Sequence, residues 1–491
     1  MKKFQFISAL VMVVLALCSC TNTDYQNVIP ANASLVVKVD MKSIAEKSDF
    51  KNSKWMKELD GSLGAVVSGK DMKSVKEYVA DPMKIGIDFS MPLYFFMMAD
   101  ETMGMTMKVS DEDHVKDFLL LLNKQGLASK PQEKDHWMCG TIIDDIYYSY
   151  DGTTFLMLAS MKGKNTTISR MARELTALKE SDSFVSTEAF GRLNEEEKDA
   201  VMYVMSAQII ESLKMAGGVL PSSVYKDVEA LASLDFAQGE ARIMGKLFAK
   251  TKDAQHLIDE ANANLKKMNG RYLDKVSDDA AIWIGAGVKG EWLLEKIKEN
   301  KELKTMLFAT ERAVGVEQML KAMDGDVSME LPLLDTEKVD YVLQAELNNT
   351  DFLADVNDWK LSQKDYGIEM KELEPQQYQL MLDGQTYRWG VRDKDLYWAT
   401  PRAVERAENS ADAKLKAYRE QIEDSRLFLF VDWAKLAKGL SQSSNVALVM
   451  QMWDGFFKID ALYWKLSSVE EGVVVIESKN KNENFLKQIL Q

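Results

Sequence analysis

The sequence predicts an α+β protein: two tandem copies of a strand–helix–hairpin unit, with mainly antiparallel sheets covered by helices. Three observations predict it. Short β-patterned runs come in pairs across turn residues, as in "ALYWKLSSVEEGVVVIES" (461–478), which implies antiparallel pairing. Strands are followed directly by helical stretches opened by an aspartate. Segments of the first half recur in the same order in the second.

The elements follow in order. The strand "LVVKV" ends at Asp40, whose carboxylate can accept from the unpaired first-turn amides of "MKSIAEKS"; Asp432 stands in the same place before "WAKLAKGL". "VIPANASLVVKVDMKS" (28–43) lies over "VSDDAAIWIGAGVKG" (276–290) at an offset of 247. "DFSM" (88–91) matches "DVSM" (326–329) at 238, and the same offset carries "VSDEDHV" (109–115) onto "LNNTDFL" (347–353). "YSYDGTTFLMLAS" resembles "WGVRDKDLYWAT", both hairpins with Asp-containing turns. "DAVMYVMSAQII" (199–210) aligns with "SRLFLFVDWAKL" (425–436) at 226, and "KLFAKTKDAQHL" (246–257) with "VIESKNKNENFL" (475–486) at 229. Each half therefore reads as strand, helix, hairpin, helix, hairpin, helix, strand, helix, hairpin, helix. The boundary is expected in "KKMNGRYLDKVSDD" (266–279), where Asn269 and Gly270 stop a helix, giving repeats over 28–270 and 271–491. Long Pro/Ser linkers are absent, so the halves are expected to dock.

The N-terminus is an address. Lys2 and Lys3 precede the apolar "FQFISALVMVVLALCS", too short for a spanning helix and patterned as a secretory signal peptide over residues 1–19. Its end, "LCSC", looks like a bacterial lipobox. That makes Cys20 the lipidated, palmitate-type anchor and sends Cys18 away with the signal, leaving residues 20–27 as lipidated N-terminus and short tether. Several acyl chains at about 0.8 kcal/mol per buried methylene make such attachment effectively permanent.

Cleavage removes two of the 61 basic side chains and none of the 76 acidic ones, moving the net charge from −15 to −17. That surface repels nucleic acid, which we exclude as a partner. Cys139 is then the remaining thiol, so no intrachain disulfide is expected, and burial of the 46% hydrophobic residues must supply the stability.

The opening "YQNVIPANASLVVKVDMKSIAEKSDF", directly after a lipobox, resembles the Bacteroidetes lipoprotein family catalogued as domain of unknown function 4836, with Asn32 where that group is expected to carry Asp. The resemblance implies fold, lipidation and a cell-envelope location over residues 25–491, and no activity.

Several segments carry residue types found in chemical motifs, and each also has a purely structural explanation. Gly285, Gly287 and Gly290 in "WIGAGVKGEWLLEKI" spell GxGxxG between a strand and a helix, the context of a dinucleotide fingerprint. The sister copy carries Lys38, Asp40 and Ser43 there, and no second strand ending in an acidic residue follows, so no nucleotide cofactor is expected. "DEDH" (111–114) has metal-ligating residue types, but Ser110 reads as an N-cap with Asp113 complementing the helix dipole. His114 and His256 align with Phe352 and Phe485, which reads as partly buried packing, and His136 and Cys139 are spaced to face apart on a strand. "TIIDDIYYSYDG" (141–152) offers tyrosines for a sugar, or Asp144, Asp145 and Asp151 for calcium, or simply an alternating hairpin. The methionines of "FFMMADETMGMTMKV" read as core or an adaptable apolar groove. No catalytic or metal residues are therefore assigned.

Three function classes stand. The first is a non-catalytic envelope lipoprotein that binds or scaffolds a protein or glycan partner, its surface apolar or aromatic and free of any acid–base–nucleophile cluster. The second is a glycan-capture lipoprotein using the aromatics of the 141–150 hairpin, and the third a hydrolase with an unrecognised site. "TNTDY" after Cys20 lacks a strong acidic run, which points to the periplasmic side of the outer membrane rather than the cell surface.

Overall fold

Asp40 acts at a junction in the computed structural model of this chain. It follows the strand Leu35–Val39 (β1), and its carboxylate accepts the Ser43 amide at 2.8 Å to cap the helix Met41–Ser48. Asp432 ends the strand Leu427–Asp432 and accepts the Lys435 amide at 3.2 Å, opening the helix Trp433–Leu440. The structure describes residues 24–49, 53, 74, 77–78, 81–143, 145–160, 167–213, 220–311, 314–332, 340–363, 369–382, 384–403, 413–440 and 457–491. The assignments made above to Cys18, Cys20 and Asp144 lie outside these residues.

The fold is α+β and its sheets are antiparallel. Two compact units divide the chain, one within Met1–Leu213, Tyr225–Phe248 and Asn480–Gln491, the other within Lys214–Val224 and Ala249–Lys479.

In the first unit β1 is followed by β2 (Leu93–Met97), β3 (Thr102–Lys108), β4 (Gln132–Lys134), β5 (Trp137–Ile142), β6 (Ile146–Tyr150), β7 (Thr154–Ser160), β8 (Ala200–Val204), β9 (Val228–Ala237) and β10 (Glu240–Ala249). They assemble in the order β4-β5-β6-β7-β3-β2-β1-β8-β9-β10, antiparallel from β4 through β9. Both faces are covered, so both parities of the central strands are apolar. Leu93 and Phe155 join the core beneath the helix Glu112–Lys124, whereas Tyr94, Phe96 and Leu156 face the helices Ile168–Thr176 and Glu188–Glu195. The cap of Glu112–Lys124 is Asp111, which accepts the His114 amide at 3.0 Å; Ser110 instead donates its own amide to the Gly86 carbonyl, so the expected cap moves by one residue.

The second unit contains β11 (Leu265–Lys266), β12 (Ala280–Lys289), β13 (Met323–Pro332), β14 (Val342–Leu347), β15 (Glu369–Glu374), β16 (Gln377–Leu382), β17 (Gln385–Arg392), β18 (Asp395–Ala399), β19 (Leu427–Asp432), β20 (Ile459–Leu466) and β21 (Glu471–Ser478). Their order is β15-β16-β17-β18-β14-β13-β12-β19-β20-β21, with β11 beside the end of β12. Strand for strand this is the order of the first unit. Register agrees as well: Leu35 pairs with Met97 and Val204, as Ile282 pairs with Leu331 and Val431. By that register β8 and β19 correspond at an offset of 227, one residue from the letter match. "DFSM" precedes β2 while "DVSM" lies inside β13, so those two segments do not correspond.

The first unit is finished by a helix from a distant part of the sequence. Phe485–Leu490, at the chain's end, packs in the first unit against Met41–Ser48 and β9. There Phe485 stacks on Phe236 (6.5 Å between ring centres, 9° between planes), Asn484 donates to the Phe236 carbonyl at 2.9 Å, and Lys487 pairs with Asp49 at 3.4 Å. Lys252–Asn264, which follows β10 in sequence, belongs to the second unit. Asn262 donates there to Glu470 at 2.7 Å and accepts the Val469 amide at 2.9 Å.

Candidate functional site

The second unit carries a polar pocket of about 390 Å³. It forms where β12 turns into the helix Gly290–Glu299, and Gly290 makes that turn sterically feasible: a Cβ there would stand 1.7 Å from the Leu320 carbonyl oxygen. The start of this helix contributes Lys289, Glu291, Trp292 and Glu295 to the wall. Glu260 and Asn264 come from Lys252–Asn264, Lys321 from Val316–Ala322, Met323 and Asp324 from the start of β13, and Asn348 from beyond β14.

Its charges are mostly uncommitted. Asp324 is held by Lys266 at 2.5 Å. The carboxylates of Glu260, Glu291 and Glu295 and the ammonium groups of Lys289 and Lys321 make no ion pair or side-chain hydrogen bond among the described residues. Lys289 gives the helix no side-chain cap, and the indole Nε1 of Trp292 is buried without a hydrogen-bond partner. No hydroxyl, thiol or imidazole lines the wall. Such a site offers acceptors to amines and hydroxyls, and donors to oxygen, but no Ser, Cys or His chemistry. This wall is polar, unlike the apolar or aromatic surface expected from the sequence.

A charge cluster in the first unit is, by contrast, spent on structure. Buried Asp199 accepts from Ser43 Oγ (2.5 Å), Lys47 Nζ (2.8 Å) and the Phe236 amide (2.6 Å), and Asp235 accepts from Lys47 (2.8 Å) and Lys198 (3.0 Å). Burial works to raise the Asp235 pKa, but the two lysines outweigh it and hold the carboxyl below its ordinary value. For Lys47 burial works downward, and Asp199 and Asp235 hold it above the usual lysine value.

The candidates singled out from sequence disperse. Gly285 and Gly287 lie inside β12, not in a turn. A Cβ on Gly285 would strike the Trp283 ring, and one on Gly287 the Lys266 carbonyl of β11, so they serve close packing rather than a phosphate. His114 and His256 are exposed, not partly buried, whereas Phe352 and Phe485 are core residues. His136 is at the tip of the β4–β5 turn, where it and Asp135 both have positive φ, and Cys139 is buried in β5, donating to the Gln132 carbonyl at 3.3 Å. Tyr147, Tyr148 and Tyr150 are buried and cannot form a sugar platform. Asp151 caps its own turn through the amides of Thr153 and Thr154, and no metal-ligating group of three occurs among the described residues. Met105 and Met107 are core, while Met103 is 42% exposed. The pocket itself was missed: its residues come from five separate elements and carry no motif.

The family model described as "Domain of unknown function (DUF4836)" matches residues 25–431. No curated protein matches the chain. The solved structure titled "Structure of crystal form I of TP0453" is 11% identical, with 50% of this chain and 87% of that one covered, at a TM-score of 0.25.

Proposed function

Because this chain belongs to the DUF4836 family, described only as a domain of unknown function, we propose its role from the molecule itself: a lipid-anchored envelope protein that binds a small polar ligand without turning it over. In this reading residues 1–19 direct export, and Cys20 holds the protein in the outer membrane facing the periplasm. The second unit binds an amine- and hydroxyl-bearing ligand such as an amino-sugar oligomer. One observation carries the ligand class: among the described residues the pocket keeps three carboxylates and two ammonium groups without an ion pair, while many other charges of the chain are paired. The lack of hydroxyl, thiol and imidazole in its wall favours binding over acyl transfer.

We also read the two units as products of duplication. Support comes from their identical strand orders and from two buried tyrosines 247 residues apart, Tyr25 and Tyr272, at matching positions before β1 and β12.

Calorimetric titration of the soluble body, made with Cys20→Ser, against amino-sugar oligomers tests the ligand class. Replacing Glu291 and Glu295 by Gln should weaken binding about ten- to hundredfold, the worth of a lost charge-assisted hydrogen bond. Absence of binding, or binding indifferent to both changes, refutes it. Turnover of an ester, glycoside or peptide that a single substitution abolishes refutes the non-catalytic reading. In cells, Cys20→Ser should release the protein from membranes and Cys18→Ser should not.

A further inference from the structure

Tyr25, at the start of the described residues, is fixed tightly, and in sequence it lies very near the proposed anchor. Tyr25 is fully buried: its hydroxyl donates to the Pro92 carbonyl at 2.7 Å, and its own carbonyl accepts from Thr106 Oγ1 at 2.8 Å. Gln26 adds a bond to the Tyr94 hydroxyl at 2.9 Å. The next residues run along the turn at Glu180–Asp182, where the Ala31 amide donates to the Asp182 carbonyl and Phe184 to that of Ile29. Five peptide steps separate Cys20 from Tyr25. Any linker of five steps spans at most about 18 Å fully extended, and a flexible one averages about 12 Å.

From this we propose that the short tether holds the first unit against the lipid headgroups of its own membrane, with the rim formed by Asn32 and the Glu180–Asp182 turn facing the bilayer. The inference rests on lipidation of Cys20 and goes beyond it, because a lipid anchor alone leaves the distance of the body open. The chemistry of the rim fits a surface held by its leash rather than by affinity. Asn32, Lys179, Glu180 and Asp182 are exposed there, and these four offer two carboxylates against one ammonium and no apolar side chain to insert. β10 of the same sheet lies away from this rim. Asn32 leads into β1, and β10 lies three strands farther on, about 14 Å at the usual strand spacing.

The experiment uses the full lipidated chain in phosphatidylethanolamine–phosphatidylglycerol vesicles that carry a headgroup energy acceptor. A fluorophore is placed at Asn32→Cys or, on β10, at Ile243→Cys; native Cys139 is buried and stays unlabelled. Transfer should be several-fold stronger from position 32 than from position 243. Inserting a Gly/Ser segment of about twenty residues after residue 21 should lengthen the mean leash from about 12 Å to about 28 Å and largely abolish the signal at position 32. Equal transfer from the two positions, or no response to the insertion, overturns the proposal while lipidation stands. Failure of the chain with native Cys20 to co-sediment with membranes instead overturns the anchor. The Cys20→Ser chain should leave these vesicles unbound; retention by them would refute a surface held by its tether alone.

Discussion

Replacing Phe485 by Ala isolates what the last helix does for the first unit. Phe485 is only 6% exposed, and its ring lies nearly parallel to Phe236 at 6.5 Å. Burying a phenylalanine side chain stabilises by about 1.5–3 kcal/mol, and an aromatic pair adds about 0.5–1.5 kcal/mol. The helix Phe485–Leu490 is six residues long and terminal, so it undocks rather than leaving a cavity, and no cavity penalty is added. The loss should be about 2–4 kcal/mol, felt where the helix packs. Native-state hydrogen exchange reads it directly: amides of Met41–Ser48 and β9 should lose protection by about 30- to 1,000-fold, while β13 and β14 keep theirs. Unchanged protection in Met41–Ser48 and β9 would refute the assignment of this helix to the first unit. Equal loss in β13 and β14 would show the two units to be one cooperative block.

Gly290→Ala should destabilise the second unit by at least about 1–3 kcal/mol in urea denaturation, because its Cβ meets backbone oxygen and no rotamer relieves it; a neutral result would refute the close approach. Acid stability of the first unit should depend on Asp235. A depressed folded pKa supplies stability present above the unfolded value near 3.9, lost as pH falls through the folded one, so denaturation midpoints should drop below about pH 4. Lys47→Met should flatten that drop, and an unchanged slope would count against the pairing.

Local chemistry was readable and long-range assembly was not. Asp40 and Asp432 cap as read, since a cap needs only its own carboxylate and the next three residues. Ser110 and Asp111 are both good caps; Asp111 takes the role by accepting the His114 amide, while the Gly86 carbonyl, which accepts both of their amides, fixes the approach of the chain through a contact invisible in the local pattern. The tyrosines at 147, 148 and 150 alternate like a half-exposed hairpin; because helices cover both faces of the sheet, both parities are buried. A one-residue difference in the offset of β8 and β19 is small in letters but would turn every side chain to the other face, and only pairing register resolves it. The glycine fingerprint falls within β12, where Gly285 and Gly287 serve close packing. The polar pocket, gathered from residues between 260 and 348, had no spacing to betray it.

The distant origin of the first unit's closing helix has a consequence for how the protein is made. A chain leaves the ribosome from its N-terminus, so the first sheet is among the earliest parts to be made. Yet its last covering element is Asn480–Gln491, which arrives only after the whole of Ala249–Lys479 has been delivered. Until then Phe236 lacks the ring that stacks on it. A product that lacks Asn480–Gln491 therefore displays its defect near its own beginning, where a protease can tell finished molecules from unfinished ones without inspecting the segment that is missing.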